Sequence, residues 1–265
     1  MPSLSKAEKQ KLIESVPFWY HSIDVGDGLI TPGKRSIKQM RDMFGQFQLG
    51  DLSGKTVIDI GAWDGWNAYE CERRGARRVT ALDRLIWSYD TVRPDLIARF
   101  KPVLATYHRV PNYHVPGHWP GKRGFDAAHL MLNSMVEQYV DDIETVDVND
   151  LGTFDVALCI GVLYHMRDPY GMMRKVANIA RDFAIIETEG IDDPRLADAP
   201  HGEWFPHAEL NADVSNWFAP NDVWLIEMAK SAGFAGAEVL AKNPGQKAIR
   251  PNTPDYCRWI IKAWH

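Results

Sequence analysis

Two acids and a pair of glycines stand close together in this chain. Asp59 lies in the run VIDIGAWDG (57–65), just ahead of Gly61 and Gly65, and Asp83 closes the run RVTALD that follows. Glycine has no Cβ, so Gly61 lets the backbone turn tightly and approach a ligand. Gly65 opens a helix whose unpaired N–H groups can receive a carboxylate. An acid at the end of the next strand can accept hydrogen bonds from both hydroxyls of a ribose, and Asp59 suits a positive ammonium group. A dinucleotide turn would want a further glycine where Trp63 stands. Ammonium, carboxylate and ribose together describe S-adenosylmethionine (SAM). The candidate contacts are Asp59, Gly61, Ala62, Gly65, Asp83 and Arg84. The bland alternative is a glycine-rich turn that binds nothing. Against it stands the register of turn, helix and ribose acid.

The elements that must position these residues follow from periodicity. TVIDI (56–60) and RVTAL (78–82) read as strands around a helix over 64–75, a βαβ unit that predicts a parallel sheet. EQYVD (137–141), FDVALCI (154–160) and FAIIE (183–187) supply three more strands, and 236–241 with 257–264 a final hairpin. Helices are predicted over 5–15, 36–49, 168–181 and 220–232. The third opens on Asp168-Pro169, a capping residue with proline at the first helical position. The expected fold is α/β: a Rossmann-like, mostly parallel seven-stranded sheet with helices on both faces and an antiparallel last strand. Two segments break the alternation, 84–124 and 188–219. Excursions of this length inside a compact domain are usually functional, and both leave from the carboxyl side of the sheet, where ligands of open α/β sheets bind.

The chain has 265 residues, of which 45% are hydrophobic and 25% charged, the profile of an ordinary globular protein. A net charge of −5 argues against a broadly basic nucleic-acid surface. The apolar runs are strand-sized, so no membrane span is expected. Three widely spaced cysteines, Cys71, Cys159 and Cys257, fit a reducing cytoplasm and show no metal spacing. His108, His114 and His118 lie in a proline-rich stretch without an acidic partner, so no metal site is expected there.

The acid–glycine pattern resembles the class I SAM-dependent methyltransferases. A second block, FDVALCIGVLYHMRDP (154–169), narrows the resemblance to the subgroup of the bacterial tRNA wobble-uridine carboxymethyltransferase and its biosynthetic relatives, as do WYHSID (19–24) and TPG (31–33). The resemblance covers about residues 17–262. It implies an N-terminal lid, 1–50, ahead of a methyltransferase domain, 51–265. Asp59, Gly61 and Gly65 would hold the methionine part and Asp83 the ribose. Asp142, Ile143 and Glu144 would flank the adenine, and Ile160 and Tyr164 would face the sulfonium. In the tRNA enzyme the matching tyrosine works with basic residues on an extra carboxylate of the cofactor. Lys34, Arg35 and Arg250 are the basic candidates here, and none aligns convincingly, so plain SAM is the expected donor.

Methyl transfer from a sulfonium is a direct displacement, for which alignment supplies about 7–11 kcal/mol in favourable cases. An oxygen or carbon nucleophile also needs a base. Tyr164, His165, His201 and His207 are the catalytic candidates, each of the histidines with a packing or solvated-loop alternative, and His21 with a plain aromatic cluster. Three functions compete: a methyltransferase acting on a small, biosynthetic molecule, which is preferred; a tRNA-modifying (carboxy)methyltransferase, disfavoured by the charge and by the 84–124 insertion; and a non-catalytic SAM-binding regulatory domain. A homo-oligomer stays open.

Overall fold

The computed structural model describes residues 4–83, 121–211, 213, 215–245 and 255–265. Arg84, His108, His114, His118, Arg250 and most of the 84–124 insertion lie outside the described residues.

Two helices precede the sheet, α1 (Lys6–Ser15) and α2 (Ile37–Gln46). Both open on a capping box, Ser5 with Glu8 and Ser36 with Gln39. Then follow β1 (Thr56–Ile60), α3 (Trp66–Arg73), β2 (Arg78–Leu82), α4 (Arg123–Leu132), β3 (Glu137–Tyr139), α5 (Val148–Leu151) and β4 (Phe154–Ile160). The second half holds α6 (Pro169–Ile179), β5 (Ala180–Asp192), β6 (Gly202–Trp204), β7 (Phe218–Pro220), α7 (Asp222–Ala232), β8 (Gly236–Pro244) and β9 (Asp255–Trp264). Asp168 caps α6 through the Gly171 amide and Asn221 caps α7 through that of Trp224.

The main sheet has seven strands in the order β3-β2-β1-β4-β5-β9-β8. The first five run parallel and β9 lies antiparallel between β5 and β8. This is the expected Rossmann-like α/β architecture. Successive residues of each strand serve opposite faces. Val57, Val79, Val156 and Ile185 join one core with α1, α2, α3 and α4. Ile58, Leu82, Ala157 and Ile186 join another with α6 and α7. The strand order reverses between β1 and β4, the switch point where such sheets bind ligands.

Three differences from the sequence reading bear on the site. β3 stops at Tyr139, because the Asp142 side chain accepts from the Glu144 amide (2.9 Å) and turns the chain. β5 runs to Asp192, past the end of β4, and pairs with β9 from Phe183 to Asp192. The 188–219 excursion is no bare loop: β6 and β7 pair as a ribbon, over a small core of Ile191, Phe205, Leu210, Ala219 and Tyr256. Among the described residues no helix is long and apolar enough to cross a membrane.

Candidate active site

The acid–glycine turn forms at the switch point. Gly61 has φ +80°, and a Cβ there would lie 2.3 Å from Val162 Cγ2, just past β4. The Val162 side chain packs this closely on the turn only because residue 61 is glycine. Gly61→Ala is therefore expected to cost about 1–3 kcal/mol, from left-handed strain and overpacking together. Denaturant unfolding checks this. Gly65, at φ +84°, starts α3, and no side chain caps that helix.

Asp59 is fully buried. Its Oδ2 accepts from the Ala68 amide (3.2 Å), while its Oδ1 has no hydrogen-bond partner. Burial pushes its carboxyl up to about 7, against the Ala68 hydrogen bond and helped by the charge of Asp83. A buried carboxylate with one unsatisfied oxygen, beside an uncapped helix start, fits a group carrying both an ammonium and a carboxylate. Asp83 is also buried, and its Oδ2 accepts from the Trp63 amide (2.9 Å), which ties the end of β2 to the turn. Trp63 itself has φ +49°, an unusual conformation for a bulky residue. Its ring stacks on Tyr20, centroids 4.3 Å apart.

The candidate adenine residues form one turn after β3. Ile143 is buried and Asp142 and Glu144 are half-buried. Lys175 of α6 donates to the carbonyls of Ile143, Glu144 and Val146 at 2.8–2.9 Å. That support was invisible in the sequence, where Lys175 is one cation on a helix.

β4 ends on Ile160, and the chain then passes through Gly161 (φ +73°) and a 3-10 turn, Leu163–His165. The Tyr164 ring is buried and lies under the Arg258 guanidinium, 5.2 Å from its carbon. Burial pushes its phenol up. Arg258 binds both oxygens of Glu187 and one of Glu189. Arg258 Nη2, Glu187 Oε2 and Tyr164 Oη converge 3.6–3.7 Å from where a Gly161 Cβ would sit. Burial works against the Glu187 charge, but Arg258, with Arg35 and the Gly161 amide, outweighs it and holds that carboxyl below its usual range. Burial keeps Glu189 above its usual range, and its Oε2 has no hydrogen-bond partner. The sequence reading passed over this cluster. Its trace was two acids in the apolar run AIIETEG and a lone base in CRWII. Arg35 also reaches the region, over the Tyr20 ring at 5.5 Å.

The candidate bases separate. His165 adjoins the Tyr164 ring at 4.1 Å, and its Nδ1 lies 3.2 Å from the Ser215 carbonyl and 2.9 Å from the Ser215 hydroxyl. His201 is exposed at the far end of β6, where its amide donates to the Asn221 cap of α7. His207 is exposed, its amide donating to Glu209. His21 is buried, and burial lowers its ring to about 3, so it is neutral.

A doubly wound sheet with an acid–glycine turn at its switch point and a second acid one strand away defines a domain for a nucleoside cofactor that bears an amino acid. The chain belongs to the methyltransferase domain family, whose model matches residues 35–239, and SAM is its cofactor. It is 24% identical over 197 residues to the tRNA U34 carboxymethyltransferase of Marinobacter nauticus, covering 72% of this chain and 47% of that protein. To the ubiquinone biosynthesis O-methyltransferase of Neisseria meningitidis it is 26% identical over 136 residues, 49% of this chain and 42% of the other. The chain thus spans about half the length of the curated relatives it matches. Among solved structures, the N-terminal domain of EvdMO1 with SAH (S-adenosylhomocysteine) bound superposes with a TM-score of 0.64 at 16% identity. That match covers 99% of this chain and 98% of the other.

Proposed function

We propose that this chain transfers a methyl group from SAM to a small-molecule acceptor by direct displacement. The observation that carries the reading is the convergence of Arg258, Glu187 and Tyr164 above Gly161, beside the acid–glycine turn. The excursion reaches the same place: the Trp217 amide donates to the Tyr164 carbonyl (2.8 Å), and Asn211 donates to Glu189 (2.9 Å). Bordered by the excursion, this cluster offers a small ligand a few polar handles. One neighbour solved with D-fucose present, also EvdMO1, points the same way.

When bound, SAM supplies an already activated methyl carbon. In this reading Asp59 and the start of α3 hold its amino-acid part, Asp83 the ribose, and the 142–144 turn the adenine. The 188–219 and 17–33 segments shut out water and orient the acceptor over Tyr164 and His165. His165 is the leading base. An Nδ1–H donated to the Ser215 carbonyl leaves Nε2 as the proton acceptor. Glu189 is the second candidate, through its unpartnered oxygen. His201 and His207 contribute loop structure.

A second reading, a tRNA-directed enzyme using carboxy-SAM, is favoured by Arg258 and Arg35 around Tyr164. Against it, Arg258 is already engaged by two carboxylates. Competition calorimetry is expected to show plain SAM preferred over carboxy-SAM. The functional test is transfer of labelled methyl in a cell extract. Label in the small-molecule fraction is expected, and label in tRNA would replace this reading with the second.

A further inference from the structure

The N-terminal segment reaches the site as a folded strap. Residues 19–23 lie against 31–35: the Ser22 amide donates to the Arg35 carbonyl (2.9 Å), the Arg35 amide to Tyr20 (2.8 Å), and the Thr31 amide to Ile23 (2.9 Å). Gly33 packs so closely that a Cβ would fall 2.1 Å from His21 and Ser22 backbone atoms. This strap carries Tyr20 onto Trp63 and Arg35 over Tyr20.

Besides that stacking, one buried side chain ties the strap to the cofactor turn. Asp64, between Trp63 and Gly65, is buried, and its Oδ2 accepts from the amides of both Tyr20 (2.7 Å) and His21 (2.8 Å). Helix α4 closes on it from behind: a Cβ on Gly124 would lie 2.4 Å from Asp64 Oδ1. The backbone of Asp64 belongs to the turn that holds the cofactor, and its side chain belongs to the strap.

We propose that Asp64 is a positioning residue that couples docking of the 19–35 strap to occupancy of the cofactor turn. This rests on the SAM-binding reading above. A carboxylate accepting two amides holds two adjacent residues of the strap at once, and charge strengthens both hydrogen bonds. Filling the turn fixes Trp63 and Asp64, and so fixes the strap that lines the acceptor side. Releasing the strap leaves Trp63 without its stacking partner and loosens the turn. Strap and cofactor therefore favour each other, as linkage requires.

Hydrogen exchange and SAH calorimetry on the full chain test this. SAH is expected to protect residues 19–35 of the wild type. Asp64→Ala is expected to speed exchange at Tyr20 and His21 and to weaken SAH binding about tenfold, within the usual range for coupled sites. Asp64→Asn keeps an acceptor oxygen and is expected to restore most of both effects, whereas Asp64→Leu, which fills the space without an acceptor, is expected to restore neither, and that contrast separates the clamp from a merely space-filling role. Gly33→Ala, which breaks the strap with Asp64 intact, is expected to weaken SAH binding similarly. Unchanged exchange in Asp64→Ala would overturn the clamp, and a freed strap with undiminished SAH affinity would overturn the coupling. A wild type that binds no SAH would instead strike the functional reading, and the exchange of unliganded Asp64→Ala would still report on the clamp.

Discussion

Asp59→Asn is expected to weaken SAH binding about a hundredfold or more at pH 8, the scale of removing one partner of a buried charge pair. The reason is the buried carboxylate whose Oδ1 has no partner in the protein. An ammonium placed there would satisfy it, and the amide of asparagine would oppose it. The pH dependence separates this from a loss of shape. Asp59 sits at about 7 because burial disfavours its charge, and the bound ammonium favours the ionised form. Below about 7 a proton must leave before the ligand binds, so affinity falls as pH falls, by up to tenfold per unit for this one group. The groups facing it are Asp83, Asn67, the Ala68 amide and the buried thiols Cys71 and Cys159. Both thiols are pushed up by burial and stay protonated. Asp64 is also held at about 7 by burial and is kept in the variant. The informative quantity is therefore the difference in slope, wild type steeper than Asp59→Asn by about one decade per pH unit. Equal slopes in calorimetry would remove Asp59 from the ammonium site.

Arg258→Met is expected to cost about 3–5 kcal/mol of folding stability near pH 8, because it strands buried carboxylates without their cation. Glu187 and Glu189 are 2% and 3% exposed, so water cannot replace the guanidinium. In the wild type Arg258 keeps Glu187 below its usual range, whereas Glu189 stays above it. Geometry contributes to the asymmetry: both Glu187 oxygens meet the guanidinium and only one of Glu189 does, while the Glu187 charge raises Glu189 further. Without Arg258 both folded-state values rise above the unfolded ones. The stability is then present at low pH and lost as pH rises through the raised values, so the deficit should shrink between pH 8 and pH 5. Combining Arg258→Met with Glu187→Gln and Glu189→Gln should recover most of it. Denaturant unfolding across pH reads both effects, and a deficit under about 1 kcal/mol that ignores pH would mean the cluster is solvated.

The acid–glycine turn and the fold around it were legible in the sequence because both are local. VIDIGAWDG carries its strand, its turn and its helix start within nine residues, and Asp83 follows at the next strand end. The strands at 56–60, 78–82 and 154–160 stand where their apolar runs placed them, since a strand buried on both faces has little freedom in composition. Helix α6 begins at the cap that Asp168 announced. The Arg258 cluster and the Asp64 clamp were not legible, because their groups meet only through long-range pairing. Arg258 faces Glu189 across the β5–β9 register, 69 residues away in the chain. Asp64 meets Tyr20 and His21 from 44 and 43 residues away. His165 was visible as a candidate, but its link to Ser215 depended on a ribbon, β6 with β7, that no periodicity announced. What the sequence determined by itself is the part whose chemistry is written along one strand–turn–helix. What only the tertiary structure decided is which charges from separate strands share a buried site, because burial and pairing are properties of the packed sheet and not of any one segment.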